Sequence, residues 1–334
     1  MAPMSLRPYK QVDVFTATPY FGNALAVVLD SDGMAEEEML RFANWMNLAE
    51  TTFVLRPTQP GADYRVRIFT TTTELPFAGH PTLGTAHAWL EAGGAPARPG
   101  VVVQECPAGL IEVRAQAADD GGGHRLALKA PPLVRTGPLE EDVLEWALAG
   151  LGLARTDVVA HQWIANGPQW AGLLLRDAEL VLALEPDFAV LEGLEVGVIG
   201  PHASHGAHAV PYRESPRPVR RKGARAELEP LPAPEAPGLP AGTAFQSVVA
   251  SAPADFEVRA FVPGEGLPED PATGSLNAGF AVWLTRDGLA PEHYTVRQGT
   301  RLGRAGLIEV STDTEGIWVA GQAVTCIEGK VRTR

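Results

Sequence analysis

Two stretches of this chain place polar and ionisable residues at the mouth of an apolar helix. Near residue 76 it reads PFAGHPTLGTAHAWLEAGG, and near residue 268 PEDPATGSLNAGFAVWLTRDG. Each opens with Pro, Gly and small polar residues, then runs into an alanine-rich apolar segment that stops at a glycine. His80 stands in the first turn; Asp270, Thr273 and Ser275 stand in the second. A helix N-terminus exposes backbone N–H groups without partners in the helix and the positive end of the dipole, so it accepts a carboxylate, an enolate or a phosphate. Gly79 and Gly274 carry no side chain and let a ligand approach the backbone. His80 and Asp270 suit a substrate amine, hydroxyl or ring, and Ser275 with nearby N–H groups suits a carboxylate. If the halves pack as a pseudo-twofold pair, the two N-termini face each other across a cleft, an arrangement fit for a substrate whose charge shifts during reaction.

The elements that must hold these turns repeat as well. KQVDVF and NALAVVLD read as strands around a turn, AEEEMLRFANWMNL as an amphipathic helix, and AETTFVLRP and ADYRVRIFTTTTEL as strands rich in Thr, Val, Ile and Phe. In PTLGTAHAWLEAGG, Pro81 is expected at the first helical position and Gly93 at the C-terminal cap. That helix is apolar or small almost all round and must be enclosed. GVVVQECPAGLIEVRA and HRLALKAP follow as strands. The second half repeats the order: HQWIANGPQWAGLLLRD as strand, turn and strand, EPDFAVLEGL as a short helix, DFEVRAFVPG as a strand, the second apolar helix, then three or four strands to the end. A sheet wrapped around each helix buries it. The expected architecture is α+β, with two pseudo-symmetric domains, each a rolled, mostly antiparallel sheet around a central apolar helix. Their expected extents are 1–130 and 131–325, with a tail at 326–334 that returns to the first domain.

Composition narrows the function. Lys plus Arg number 27 against 40 Asp plus Glu, a net charge of −13, which argues against nucleic acid and anionic membranes because both need a basic face. No window reaches the roughly 18 apolar residues of a membrane span, so a cytoplasmic protein with a small-molecule partner is expected. Cys106 and Cys326 are too few for a disulfide framework and too far apart for a metal knuckle, and read as thiols in a reducing compartment. GGGHR is a turn rather than a phosphate loop, and no cofactor fingerprint is present. Residues 202–242 break the pattern: Pro-rich, without apolar periodicity, with a basic cluster at Arg217, Arg220, Arg221, Lys222 and Arg225. They read as a solvated insertion remote from the active site. Within it His202, His205 and His208 form HxxHxxH, but without a carboxylate or cysteine partner nearby they read as solvated rather than as metal ligands.

MNLAETTFVL, RIFTTTTELPFAGHPTLGTAHAWL, NGPQW, EVRAFVPGEGLPEDPATGSLNAGFAVWL and YTVRQGTRLGR occur in this order. Together they resemble the PhzF family of phenazine-biosynthesis-like isomerases, which share the fold of diaminopimelate epimerase. The likeness spans nearly the whole chain outside 202–242. It implies an active site between the two domains, usually in a homodimer. It places the catalytic glutamate at Glu50, with Ala49 where the family commonly has Ser, the Gly-His pair at Gly79 and His80, the Glu-Asp pair at Glu269 and Asp270, and the Thr-Gly-Ser at Thr273, Gly274 and Ser275.

The chemistry agrees with those positions. A carboxylate that takes a proton from carbon and returns it elsewhere works best partly desolvated, and Glu50 lies between an apolar helix and the TTFVL strand. The epimerase cousins use two opposed cysteines at the helix N-termini; here those turns carry Gly79, His80, Thr273, Gly274 and Ser275, which excludes a two-thiol racemase. Asp270, His80 and Ser275 have the residue types of a hydrolase triad, yet no GxSxG turn surrounds the serine. The expected function is a cofactor-independent isomerase moving a proton and a double bond within a small carboxylated substrate, cyclic or aromatic. Glu50 is its acid/base, Glu50, His80 and Asp270 the catalytic set, and Gly79, Thr273, Gly274 and Ser275 the substrate-binding set. The resemblance makes trans-2,3-dihydro-3-hydroxyanthranilate a candidate substrate. A non-catalytic small-molecule binder of the same fold is the alternative.

Overall fold

The computed structural model describes residues 5–117, 124–203, 253–264 and 268–333. In the first half the strands are β1 (Ser5–Val14), β2 (Asn23–Val28), β3 (Glu50–Leu55), β4 (Tyr64–Phe69), β5 (Glu74–Leu75), β6 (Val101–Cys106), β7 (Gly109–Ala117) and β8 (His124–Lys129), with helices α1 (Glu36–Met46) and α2 (Gly79–Glu91). The second half contains α3 (Glu141–Leu151), β9 (Val158–Trp163), β10 (Ala171–Leu175), α4 (Ala178–Ala183), β11 (Val196–Pro201), β12 (Phe256–Phe261), β13 (Glu269–Asp270), α5 (Gly274–Arg286), β14 (His293–Gln298), β15 (Gly306–Asp313) and β16 (Gly316–Thr333).

Strand pairing runs β1-β2-β3-β4-β6-β7-β8-β16, and β16 also pairs with β1, so the first strand system closes into a ring. Ala323 to Thr333 of β16 lie opposite Val14 to Ser5, whereas Trp318 to Gln322 lie opposite Lys129 to Arg125. The start of the same strand pairs with β15, from which the second system runs through β14, β12, β11 and β10 to β9. One strand of 18 residues therefore belongs to both halves. Most pairings are antiparallel; the parallel ones fall at matching places, β2 with β3 and β4 with β6 in one half, β10 with β11 and β12 with β14 in the other.

The two strand systems form around the two apolar helices. From Gly79 to Ala88 every residue of α2 is buried, as are Leu276 to Ala281, Trp283 and Leu284 of α5. Leu83, Ala86 and Ala88 pack in one contiguous core with Val12, Leu25, Tyr64, Val102 and Leu126, and the same core takes in Leu276, Phe280 and Trp283 with Val258, Val296 and Ile308. Burial of a Leu, Phe or Val side chain contributes about 1.5–3 kcal/mol, so a helix without a polar face is stable only inside such a wrap. Outside it, Met39 and Ala43 of α1 cover Ala26, Phe53 and Phe69, while α3 and α4 cover the second sheet through Leu144, Leu148 and Val181.

The α+β architecture of two pseudo-symmetric, rolled, mostly antiparallel units agrees with the sequence reading; three local details differ. The α2 helix begins at Gly79, so Pro81 is its third residue, tolerated because N–H groups of the first turn have no helical acceptor anyway. Gly93 ends the helix as expected, left-handed at φ 91° just after Ala92. EPDFAVLEGL is not a helix: the Asp187 carboxylate accepts the N–H groups of Ala189 and Val190 and holds a turn, which Gly193 at φ 86° continues. The helix instead is α4, just upstream, where Asp177 caps Leu180 N–H at 2.7 Å. The reading also passed over α3, although Glu141 and Asp142 in its first turn and Gly152 in a left-handed C-cap are ordinary helix signals.

Candidate active site

Glu50 opens β3 immediately after α1 and its left-handed cap at Asn47 (φ 55°). Leu25 of β2 is its register partner. The Glu50 side chain is 17% exposed, and its Oε2 lies 3.4 Å from Nε2 of His80, the second residue of α2. His80 is buried, and that burial pushes its pKa down to about 3. A carboxylate so close favours an imidazolium, but the loss of hydration outweighs it, and the pair is a carboxyl group beside a neutral imidazole.

The N-termini of α2 and α5 meet at their glycines. A Cβ on Gly79 would stand 3.3 Å from the Gly274 Cα, and one on Gly274 would stand 3.2 Å from the Gly79 Cα and 3.3 Å from the His80 nitrogen. A side chain added to either glycine would thus meet the backbone of the other first. This contact sets His80 and Ser275, second residues of their helices, on either side of the pseudo-twofold.

Asp270 ends β13 and faces the first half. Its Oδ1 accepts from Asn23 Nδ2 at 2.8 Å, and its Oδ2 from the Thr273 hydroxyl at 2.6 Å. Asn23 Nδ2 also donates to the Ala272 carbonyl at 2.9 Å. Gln298 steadies the turn, donating to the Asp270 carbonyl and the Thr273 hydroxyl and accepting from Thr273 N–H and Asn277 Nδ2. Ser275 Oγ accepts the indole N–H of Trp170 at 3.1 Å, which leaves its own proton available to an acceptor, and Asn166 Nδ2 donates to the Ser275 carbonyl at 2.8 Å.

Behind the site, Glu269 points the other way from Asp270, as neighbours in a strand must. It forms a two-pronged pair with Arg259 at 2.9 and 2.8 Å, both side chains buried, and Arg259 also reaches the Leu184 carbonyl. The pseudo-symmetric positions hold Arg67 and Glu74, also two-pronged but more exposed. Register confirms the equivalence: Phe69 faces Glu74 as Phe261 faces Glu269.

The structure therefore brings Glu50 to His80, and Gly79 and His80 to Gly274 and Ser275, with Thr273 turned onto Asp270. Sequence reasoning missed Asn23, Trp170, Asn166, Gln298 and Arg259 as parts of this surround. Two of them lie in the NGPQW motif already singled out; the others sit in strands whose side-chain direction a period-2 pattern conveys but whose partners it does not. His202 differs from its reading as a histidine without a carboxylate, since its Nε2 lies 3.2 Å from Oε2 of buried Glu257. His205, His208 and the basic cluster lie outside the described residues. A cavity of about 500 Å³ at the far end of α2, lined by Lys10, Glu91, Thr325, Cys326 and Glu328, is apart from this chemistry, and its Lys10 and Thr325 both donate to Glu91.

Solved structures share this fold. A PhzF-family protein of Enterococcus faecalis superposes with a TM-score of 0.69 at 21% identity, over 98% of this chain and 99% of its own. A hydroxyproline epimerase of Agrobacterium vitis superposes at 0.51 and 12% identity, over 98% and 92%. The class is accordingly that of the diaminopimelate epimerase-like fold. A family model described as phenazine biosynthesis-like protein matches residues 12–213 and 231–329, and the chain belongs to that family of PhzF-type isomerases. Among curated relatives, antisense-enhancing sequence 1 of Schizosaccharomyces pombe is 32% identical over 98% of this chain and 99% of its own. The trans-2,3-dihydro-3-hydroxyanthranilate isomerase of Pseudomonas aeruginosa is 29% identical over 96% and 98%. Among the described residues no helix is long and apolar enough to cross a membrane.

Proposed function

We propose that the protein is a cofactor-independent isomerase in which Glu50 removes a proton from a carbon of a small carboxylated ring and returns it to another, moving the double bond. The observation that carries this reading is the contact between the partly buried Glu50 carboxyl and the neutral His80 imidazole, beside the junction of two helix N-termini. Glu50 takes the proton; the charge left on the substrate spreads toward its carboxylate, where the N–H groups of both helices and the Ser275 hydroxyl stabilise it. A neutral His80 can donate a hydrogen bond to the substrate, or accept one from the Glu50 carboxyl, without adding a charge. Asp270, held as an acceptor, binds a substrate amine or hydroxyl. Gly79, Thr273 and Gly274 complete the binding surface. Trans-2,3-dihydro-3-hydroxyanthranilate has every group this site addresses: carboxylate, amine, hydroxyl and a ring carbon with an acidic proton. The protein acts in the cytoplasm as a homodimer in this reading.

The test uses that compound in deuterium oxide with wild type and Glu50→Gln. Wild type incorporates deuterium into the product, and Glu50→Gln loses about 10²- to 10⁴-fold in turnover, the usual worth of a general acid/base. Binding of 3-hydroxyanthranilate, the aromatic analogue, stays within a few-fold. Equal binding by both proteins with no turnover of any carboxylated ring would leave the non-catalytic binder as the correct function.

A further inference from the structure

We infer that Asn23 is a positioning residue for this reaction: its side-chain amide holds the Asp270 carboxylate of the second half in place relative to the Glu50 carboxyl of the first. The inference rests on the isomerase reading above. An amide nitrogen carries two protons, and Asn23 directs both across the molecule, to Asp270 Oδ1 at 2.8 Å and to the Ala272 carbonyl at 2.9 Å. Asn23 is itself buried, 3% exposed, and is the first residue of β2. Two residues on, Leu25 is the register partner of Glu50. The strand that neighbours the acid/base therefore also grips the acidic residue of the opposite half. The second grip on Asp270 is Thr273, whose hydroxyl takes Oδ2 and is in turn held by Gln298. One donor from each half thus fixes the plane of the carboxylate. Ala272 immediately precedes Thr273, the N-cap of α5.

Removing this donor leaves the strand pairing of β2 intact but loosens the Asp270 carboxylate, which Thr273 still holds at Oδ2. Misplacement of a group by about 1 Å can cost on the order of a hundredfold in rate, whereas binding of the substrate carboxylate at the helix N-termini does not depend on Asn23. The expected signature is a fall in kcat with little change in KM.

The experiment compares wild type, Asn23→Ala, Asn23→Ser and Asn23→Asp, each checked for folding by circular dichroism; Asn23→Ser fills more of the site and serves if Asn23→Ala does not fold. With trans-2,3-dihydro-3-hydroxyanthranilate, kcat of Asn23→Ala falls roughly 10- to 100-fold with KM within about threefold. Asn23→Asp sets a second carboxyl against Asp270, so its activity relative to wild type rises as pH falls and one proton is shared between them, a dependence that a merely structural residue would not produce. Independently of any substrate, aspartate labelled with carbon-13 at its side-chain carboxyl reports on Asp270, assigned through Asp270→Asn. That signal moves in Asn23→Ala more than any other aspartate signal. Wild-type kcat in Asn23→Ala, or an unmoved Asp270 signal, overturns the inference. If wild type leaves the dihydro compound unchanged, the isomerase reading fails for that substrate, and the carbon-13 signal alone decides the role of Asn23.

Discussion

Glu50 Oε2 and His80 Nε2 stand 3.4 Å apart although one opens a strand and the other starts a buried helix. Burial keeps the imidazole neutral near neutral pH, so His80 adds no fixed positive charge to the site.

The depressed pKa of His80 has a consequence for stability. Its folded value of about 3 lies below the unfolded value of 6.5, so between these values the unfolded chain binds a proton that the folded chain refuses. Stability is fully present above 6.5 and is lost as pH falls toward 3, with a slope of up to about 1.4 kcal/mol per pH unit. His80→Gln removes that slope. Urea unfolding of both proteins at several pH values measures the difference, and parallel curves would show that His80 is not buried as described.

The glycine junction admits no side chain without movement. In Gly79→Ala or Gly274→Ala the new methyl group meets backbone at 3.2–3.3 Å, which cannot rotate away. Each substitution is expected to cost about 1–3 kcal/mol, as for an overpacked core. Since each spreads the same junction, the double variant loses less than the sum of the two. Thermal unfolding of the three variants gives the result, and strict additivity would count against a shared contact.

The two Arg–Glu pairs have the same geometry but different surroundings, and burial decides what they are worth. Arg259→Met strands the Glu269 carboxylate inside the protein and is expected to cost about 3–5 kcal/mol, while Arg259→Met with Glu269→Leu recovers most of the loss. Arg67→Met, whose partner Glu74 is 27% exposed, costs much less. Denaturant midpoints of the three proteins separate these cases; equal losses for Arg259→Met and Arg67→Met would refute the burial argument.

Trp170 leaves the Ser275 proton free to meet an acceptor, as the proposed role of Ser275 in holding a substrate carboxylate requires. Ser275→Ala is expected to weaken 3-hydroxyanthranilate by about tenfold or more, the worth of a hydrogen bond to a charged group. 2-Aminophenol, the same ring without the carboxylate, keeps its affinity. Calorimetry with both compounds checks this, and an equal loss for the two would assign Ser275 another role.

Much of this was legible in the chain itself. β-Branched and aromatic residues in KQVDVF and ETTFVL marked strands, and the all-round apolarity of TLGTAHAWL and NAGFAVWL marked helices that a sheet must enclose. Repetition of that order in each half implied the pseudo-symmetry. The segment EPDFAVLEGL misled because local apolar spacing favours a helix, whereas the Asp187 side chain bonded its own backbone instead. The turn residues Gly79, His80, Asp270 and Ser275 stood out because helix N-termini need such chemistry.

What sequence could not convey is which residues meet across the molecule. Gly79 against Gly274, Asn23 on Asp270 and Trp170 on Ser275 join segments separated by more than a hundred residues. Periodicity fixes the face a side chain occupies relative to its own strand or helix, because that follows from backbone geometry over a few residues. The partner on the far side depends on how the rolled sheets close, and here closure passes through β16, a single strand that pairs with β8 and β15 at one end and with β1 at the other. Burial is decided at the same level: Arg67 and Arg259 occupy equivalent places in equivalent sequence, and only the packing of α4 over the second leaves one pair dry and the other near water.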